Sequence, residues 1–371
     1  MNPRSAPGRG GRAARAAVWL AAGAAAMLAF NASGQALRSS DKIAGGVVER
    51  IRVHGKSLEG NLEGDPADRD VAVYLPPSYA TNHRRRYPVL YLLHGYGRTM
   101  EGWVPFIGLP GSADRDIASG TAREMILVIP DANTLYGGSM YSSSPTTGDW
   151  ERFITHDLVS YIDAHYRTIA NRDSRGLAGH SMGGYGAWRI AMKYPEVYSS
   201  VYGLSACCLL NSPRPPAENA APAAQRRAPQ ANPNGDTGHG HPVNVLYGEA
   251  AAWSPNPMKP PLFFDLPVED GKLQPAIADK WIANSPLAMV DQYAANLKEY
   301  RAIAMECGLQ DTLIGSNREF HEALDRLGIR HTFETFEGHH SDHLEERIEQ
   351  KVLPFFSSHL TFPKEGASRQ K

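Results

Sequence analysis

Two short runs, Pro88 to Leu93 (PVLYLL) and Met125 to Ile129 (MILVI), carry almost no polar side chain. A strand with one face in water alternates apolar and polar residues. A strand that is apolar throughout is covered on both faces, the condition of a parallel sheet with helices above and below. Helix-like segments alternate with these and other β-branched runs. In Trp150 to Tyr166, Phe153, Ile154, Leu158, Tyr161 and Ile162 recur at helical spacing. Further strands are expected at Val47 to Val53 and Asp70 to Leu75, an antiparallel pair closed by Pro76 and Pro77, and at Ser174 to Ala178, Ser200 to Leu204, Tyr300 to Met305 and His331 to Phe336, with helices at Met182 to Tyr194 and Glu319 to Leu327. The pattern predicts an α/β chain with a mostly parallel, doubly wound sheet of about eight strands.

Two segments fall outside this rhythm. Residues 1 to 36 hold Arg4, Arg9, Arg12 and Arg15, no acid, an apolar run from Ala16 to Phe30, and the small-residue site Gly34-Gln35-Ala36. That order is a secretory leader cleaved near Ala36, and it implies a secreted or periplasmic protein, residues 37 to 371. The apolar run is shorter than the roughly 20 residues that cross a bilayer, so no stable membrane insertion is expected after cleavage. The second segment, residues 211 to 242, contains seven prolines among Ala, Asn, Gln and Gly. It reads as an insertion, followed by a cap rich in large aromatics, the two together spanning about 211 to 284. The whole chain has 38 basic and 39 acidic residues. Without the four leader arginines the balance is mildly acidic, which excludes a field able to hold nucleic acid.

Gly179-His180-Ser181-Met182-Gly183 is a G-x-S-x-G pentapeptide placed between an expected strand and an expected helix. A tight strand-to-helix turn presents its central residue at the carboxyl edge of the sheet, and Ser181 is the predicted nucleophile. Gly183, Ala187 and Ala191 give the helix a small-residue face for close packing. Negative charge developing on a carbonyl oxygen needs two N–H groups held in advance. The candidates are Met182, directly after the nucleophile, and Tyr96 in the loop His94-Gly95-Tyr96-Gly97. A serine hydroxyl also needs a base, and the base a carboxylate, in the chain order Ser, acid, His. Asp311, a few residues past the strand Tyr300 to Met305, is the candidate acid; Glu306 would fall on the strand end. The base lies in Gly338-His339-His340-Ser341-Asp342-His343, where spacing leaves three histidines open. A zinc reading of His340, Asp342 and His343 lacks its first histidine, because Gly338 stands there, and no cofactor or metal is expected.

LLHGYG, GHSMGG, ECGLQD with a helix after it, and EGHHSDHLEERIEQKVLPFFSSHL together resemble the esterase family of α/β-hydrolases, which includes S-formylglutathione hydrolases, feruloyl and acetyl xylan esterases, enterochelin esterases and secreted mycolyltransferases. The resemblance covers roughly residues 47 to 210 and 285 to 360. It implies a triad of Ser181, Asp311 and His340, with oxyanion donors at Tyr96 and Met182. It implies a serine carboxylesterase working through an acyl-enzyme on a small-molecule or carbohydrate-linked ester. Alternatives are an acyltransferase that passes the acyl group to a sugar or other alcohol, and a non-catalytic secreted binding module. Trp103, Tyr136, Trp253, Phe264 and Trp281 are expected substrate contacts at the strand ends. In the fold's usual strand order, Cys307 should face Cys207 or Cys208, and a disulfide is expected there.

Overall fold

The structure, a computed structural model, describes residues 45–210 and 242–363. The leader and the proline-rich part of the insertion therefore lie outside the described residues.

Eight strands form one sheet: β1 (Val47–His54), β2 (Asp68–Leu75), β3 (Val89–Leu93), β4 (Ile126–Pro130), β5 (Arg175–His180), β6 (Ser200–Leu204), β7 (Ala302–Gly308) and β8 (Thr332–Phe336). Their spatial order is β1-β2-β4-β3-β5-β6-β7-β8. The first pair is antiparallel, β2 meets β4 antiparallel, and from β4 to β8 every neighbour is parallel. Every residue of β3, β4 and β6 is buried, as strands sandwiched between helix layers require. The chain order reverses between β3 and β5, so their carboxyl ends open a crevice at the sheet centre. Both predicted catalytic loops of the first half, residues 94–97 and Ser181, leave the sheet there.

Two buried clusters lie on the two faces. One holds Trp150, Phe153, Tyr185, Trp188, Trp253 and Trp281; the other holds Trp103, Tyr202, Phe356 and the helices beside them. The helix of residues 150–165 is interrupted by one π-turn at Phe153–Asp157, which periodicity alone does not reveal. The helix expected at Glu319 to Leu327 begins earlier, at Ile314, and runs to Arg326. Among the described residues no helix is long and apolar enough to cross a membrane.

The expected disulfide is absent. Parallel pairing sets Glu306 opposite Leu204, so Ser205, not Cys207, is next in line with Cys307. The chain then turns at Ser205, with φ 41°, and the Cys207 N–H donates to the Ser181 carbonyl at 3.1 Å. That bond holds Cys207 at the Ser181 turn, while the Cys307 thiol is buried beside Asp311.

Candidate active site

Ser181 stands between β5 and the helix α1 of this site (Met182–Lys193) with φ 57° and ψ −115°. A non-glycine residue in such a conformation costs on the order of 1–3 kcal/mol and persists only where its surroundings enforce it. The neighbours do so by close approach. A Cβ on Gly179 would lie 2.2 Å from the Gly183 carbonyl oxygen, and one on Gly183 would lie 2.1 Å from the Leu93 carbonyl oxygen. Both glycines of the pentapeptide are thus demanded by backbone contact. The Ser181 N–H donates to the Leu204 carbonyl at 2.9 Å, tying the turn to β6.

The structure brings three distant residues together. His340 Nε2 lies 2.8 Å from Ser181 Oγ, and His340 Nδ1 lies 2.8 Å from Asp311 Oδ2. A carboxylate can only accept, so Nδ1 carries the hydrogen and Nε2 presents its lone pair to the hydroxyl. Asp311 Oδ1 accepts from the Leu313 N–H at 2.9 Å. Burial pushes the Asp311 carboxyl up, but the bonds from His340 and from the Leu313 N–H outweigh it and hold the group below its ordinary range. The Asp311 side chain is fully enclosed, whereas His340 is 37% exposed.

Spacing left three histidines open, and the tertiary structure separates them. His339 turns outward, its Nδ1 3.2 Å from the Gln310 carbonyl, and its N–H donates to Asp342 Oδ2. His343 faces Glu346 at 3.3 Å. The atoms of the zinc pattern are thereby engaged separately. Glu306 faces away too: Arg347 Nε lies 3.0 Å from its carboxylate and the Tyr202 hydroxyl donates to it at 2.6 Å.

Met182 follows Ser181 as the first residue of its helix, and Tyr96 lies in the loop after β3. The Met182 N–H, at the first position of its helix, has no acceptor within the helix. A Cβ on Gly95 would come within 3.3 Å of Ser181 Cβ, which shows how closely the 94–97 loop passes Ser181. The Tyr96 ring is clamped against Gly137, Gly138 and Gly248, and its hydroxyl donates to the Tyr136 carbonyl.

Three supporting residues were missed by the sequence reading. His94 is buried; its Nε2 accepts from the Ala132 N–H at 2.8 Å and its Nδ1–H donates to the Gly95 carbonyl at 2.9 Å. Burial lowers its pKa, and the neutral ring braces the 94–97 loop. His180 is buried between Trp103 and His340, and its Nε2–H donates to the His340 carbonyl at 2.8 Å. Burial, aided by the nearby His340, lowers it to about 3. Gln310 joins the loops that carry Asp311 and His340: its side chain reaches Glu337 and the Gly338 N–H, and its own N–H donates to the Gly338 carbonyl. The signal for each lay inside motifs already quoted, as the His of LLHG, the His of GHS and the Gln of GLQD.

The expected substrate contacts are placed differently. Trp103, Trp253, Phe264 and Trp281 are 3% exposed or less, which leaves no ring face for a ligand. Trp103 stacks on His180, and the Trp253 and Trp281 indoles meet edge to face, donating to Ser142 and Ser254. These four are packing residues of the core and cap. Tyr136, 8% exposed, packs edge-on against Tyr247 and Phe264 while its carbonyl holds Tyr96. It touches the site through the backbone.

Comparison with known proteins fits this geometry. The family model described as "Putative esterase" matches residues 66–350. An esterase of Mycobacterium tuberculosis is 38% identical over 136 residues, 35% of this chain and 27% of that protein. An endo-1,4-beta-xylanase/feruloyl esterase of Xylanibacter ruminicola is 34% identical over 132 residues, 34% of this chain and 18% of that protein. The chain thus spans about a quarter or less of the length of these relatives. A solved ferulic acid esterase superposes with a TM-score of 0.60 at 26% identity, covering 85% of this chain and 98% of its own. With an eight-stranded, mostly parallel sheet and a family match over most of its length, the chain belongs to the esterase family of α/β-hydrolases.

Proposed function

We propose that this protein is an exported serine carboxylesterase whose catalytic residues are Ser181, His340 and Asp311. The observation that carries the reading is the continuous hydrogen-bonded chain from Ser181 Oγ through His340 to a buried carboxylate, ending on a nucleophile with φ 57°. Ser181 Oγ attacks the ester carbonyl while His340 Nε2 takes its proton, and Asp311 stabilises the imidazolium so formed. The N–H groups of Tyr96 and Met182 stabilise the oxyanion. Collapse of the tetrahedral intermediate breaks the bond to the alcohol, which leaves with the proton from His340. Water, activated by the same imidazole, then releases the acid from Ser181.

An aromatic acyl group carried on a sugar is the substrate class we favour, because the matched relatives include proteins named feruloyl or ferulic acid esterases. The leader at residues 1–36 directs the protein out of the cytoplasm, and residues 37–371, with the insertion and cap at about 211–284, form the mature enzyme.

The test is labelling with a fluorophosphonate, mass-spectrometric location of the adduct, and assay of acetyl, feruloyl and longer-chain esters. The adduct is expected on Ser181, and Ser181→Ala should lower kcat by about 10³-fold or more. An adduct elsewhere, or a Ser181→Ala enzyme of normal activity, refutes the assignment. Ester exchange exceeding hydrolysis when alcohols are added would make the enzyme a transferase of the same mechanism.

A further inference from the structure

A second cluster of nitrogen and oxygen ligands lies at the opposite end of β8 from His340. The helix α2 of this region (Ile314–Arg326) carries His321 and, one turn later, Asp325. The chain turns through Gly328, with φ 64°, and His331 immediately precedes β8. The five residues of that strand place the cluster roughly 16 Å along the sheet from the triad loop.

The hydrogen bonding of His331 orients it for coordination. Its side chain is 1% exposed, and its Nδ1 lies 2.8 Å from the Ile329 carbonyl. A carbonyl only accepts, so Nδ1 carries the hydrogen and Nε2 is left with a lone pair. That lone pair points at His321 Nδ1, 2.7 Å away. Asp325 stands 3.6 Å from His321 Nε2, and one ligand atom from each of the three residues falls within 4.8 Å of the others. The Phe333 ring covers His321 on one side, with centroids 4.9 Å apart.

Neutral His321 satisfies this cluster poorly, whereas a hydrogen on each of its ring nitrogens would serve both His331 and Asp325. In neutral His321, a hydrogen on Nδ1 serves His331 but turns the Nε2 lone pair toward the Asp325 carboxylate, acceptor against acceptor. A divalent cation between the two nitrogens also removes the conflict: it takes both lone pairs, His321 carries its hydrogen on Nε2, and His331 keeps its bond to Ile329. His331 thereby has the backbone-carbonyl partner that metal-bound histidines commonly have.

We propose that His321, His331 and Asp325 form a zinc-type metal site that fastens the last turn of α2 to the start of the edge strand β8. Two imidazoles and one carboxylate suit a borderline ion such as Zn²⁺ and not Mg²⁺ or Ca²⁺, which take oxygen ligands. Tetrahedral Zn–N bonds of about 2.0–2.1 Å require nitrogens about 3.3 Å apart, so the rings part by about 0.6 Å on binding. His321, 32% exposed, has the freedom to make that shift. Asp325, 62% exposed, swings in as the third ligand and water completes the shell.

The experiment uses untagged, chelator-dialysed protein titrated with Zn²⁺ by equilibrium dialysis, with thermal unfolding in parallel. One equivalent should bind per chain in the micromolar range and raise Tm, since an ion bound only by the folded state stabilises it. Asp325→Ala and His321→Ala should each weaken binding by about tenfold or more and lose the Tm increase, while fluorophosphonate still labels Ser181. His343→Ala, which removes an exposed imidazole from the triad loop, should bind as the parent does. Failure to bind one equivalent, or binding that survives both His321→Ala and Asp325→Ala, overturns the proposal and leaves a histidine–histidine hydrogen bond.

Discussion

Two adjacent histidines, 339 and 340, are chemically identical in the sequence and differ entirely in surroundings. His340 bridges Ser181 and a buried carboxylate, while His339 faces a backbone carbonyl at the surface. Asp311→Asn should therefore cost about 10²–10⁴-fold in kcat with little change in KM, because an amide can donate to Nδ1 and stabilise the wrong tautomer. His339→Ala should stay within a few-fold of the parent; steady-state kinetics on one ester separates the two. His180 makes a pH prediction. Its folded pKa, about 3, lies below the ordinary 6.5, so between these values the unfolded chain takes up a proton that the folded chain refuses. Its contribution to stability is complete above about pH 6.5 and is lost progressively as pH falls toward 3. Asp311, also held below its ordinary value, adds a further loss in the more acidic range. His180→Gln retains a donor for the His340 carbonyl and should flatten the fall in urea-unfolding free energy between pH 7 and pH 4.5. An unchanged slope would show that His180 is not buried neutral.

At the level of elements, the base loop is held by what precedes and follows it. Gln310 bonds the acid loop to the base loop, and just beyond the base Arg347 anchors the following helical segment to Glu306 on β7. The Glu306 carboxylate is 2% exposed, so removing its cation leaves a buried charge whose remaining hydrogen-bond partner among the described residues is the Tyr202 hydroxyl. Arg347→Ala should cost about 3–5 kcal/mol of stability, and a double change that also replaces Glu306 with Gln should recover part of it. Chemical denaturation of the three variants measures this. The strands β3 and β4 were legible in the sequence because burial on both faces leaves an unbroken apolar run. The π-turn at Phe153–Asp157 was not, because one extra residue per turn hardly disturbs a helical pattern.

For the molecule as a whole, the cysteines show where the inference from fold order stops. Neighbouring strands were anticipated correctly, but the register set Ser205 opposite the residue next to β7's Glu306, and Cys207 went to the nucleophile turn. Alkylation of denatured, unreduced protein should modify Cys307, whose folded thiol is pushed up to about 12 mainly by burial; peptide mapping that finds Cys307 disulfide-linked would contradict the structure. The cap aromatics teach the same point. Their number announced a packed cap, yet nothing in composition tells a ring that touches substrate from one enclosed by Ser142, Ser254 and its neighbours.

What the sequence determined by itself was local: apolar runs that must be covered on both faces, glycines demanded at a crowded turn, a serine set between strand and helix, and an acid after the penultimate strand. These follow from backbone sterics and from the partition of side chains between water and core, and both act over a few residues. Only the tertiary structure decided which histidine reaches Ser181, which rings are spent on packing, and which thiols are neighbours. Those outcomes depend on strand register and loop-to-loop hydrogen bonds between segments from tens to more than a hundred residues apart, where a displacement of one residue reverses which way a side chain points.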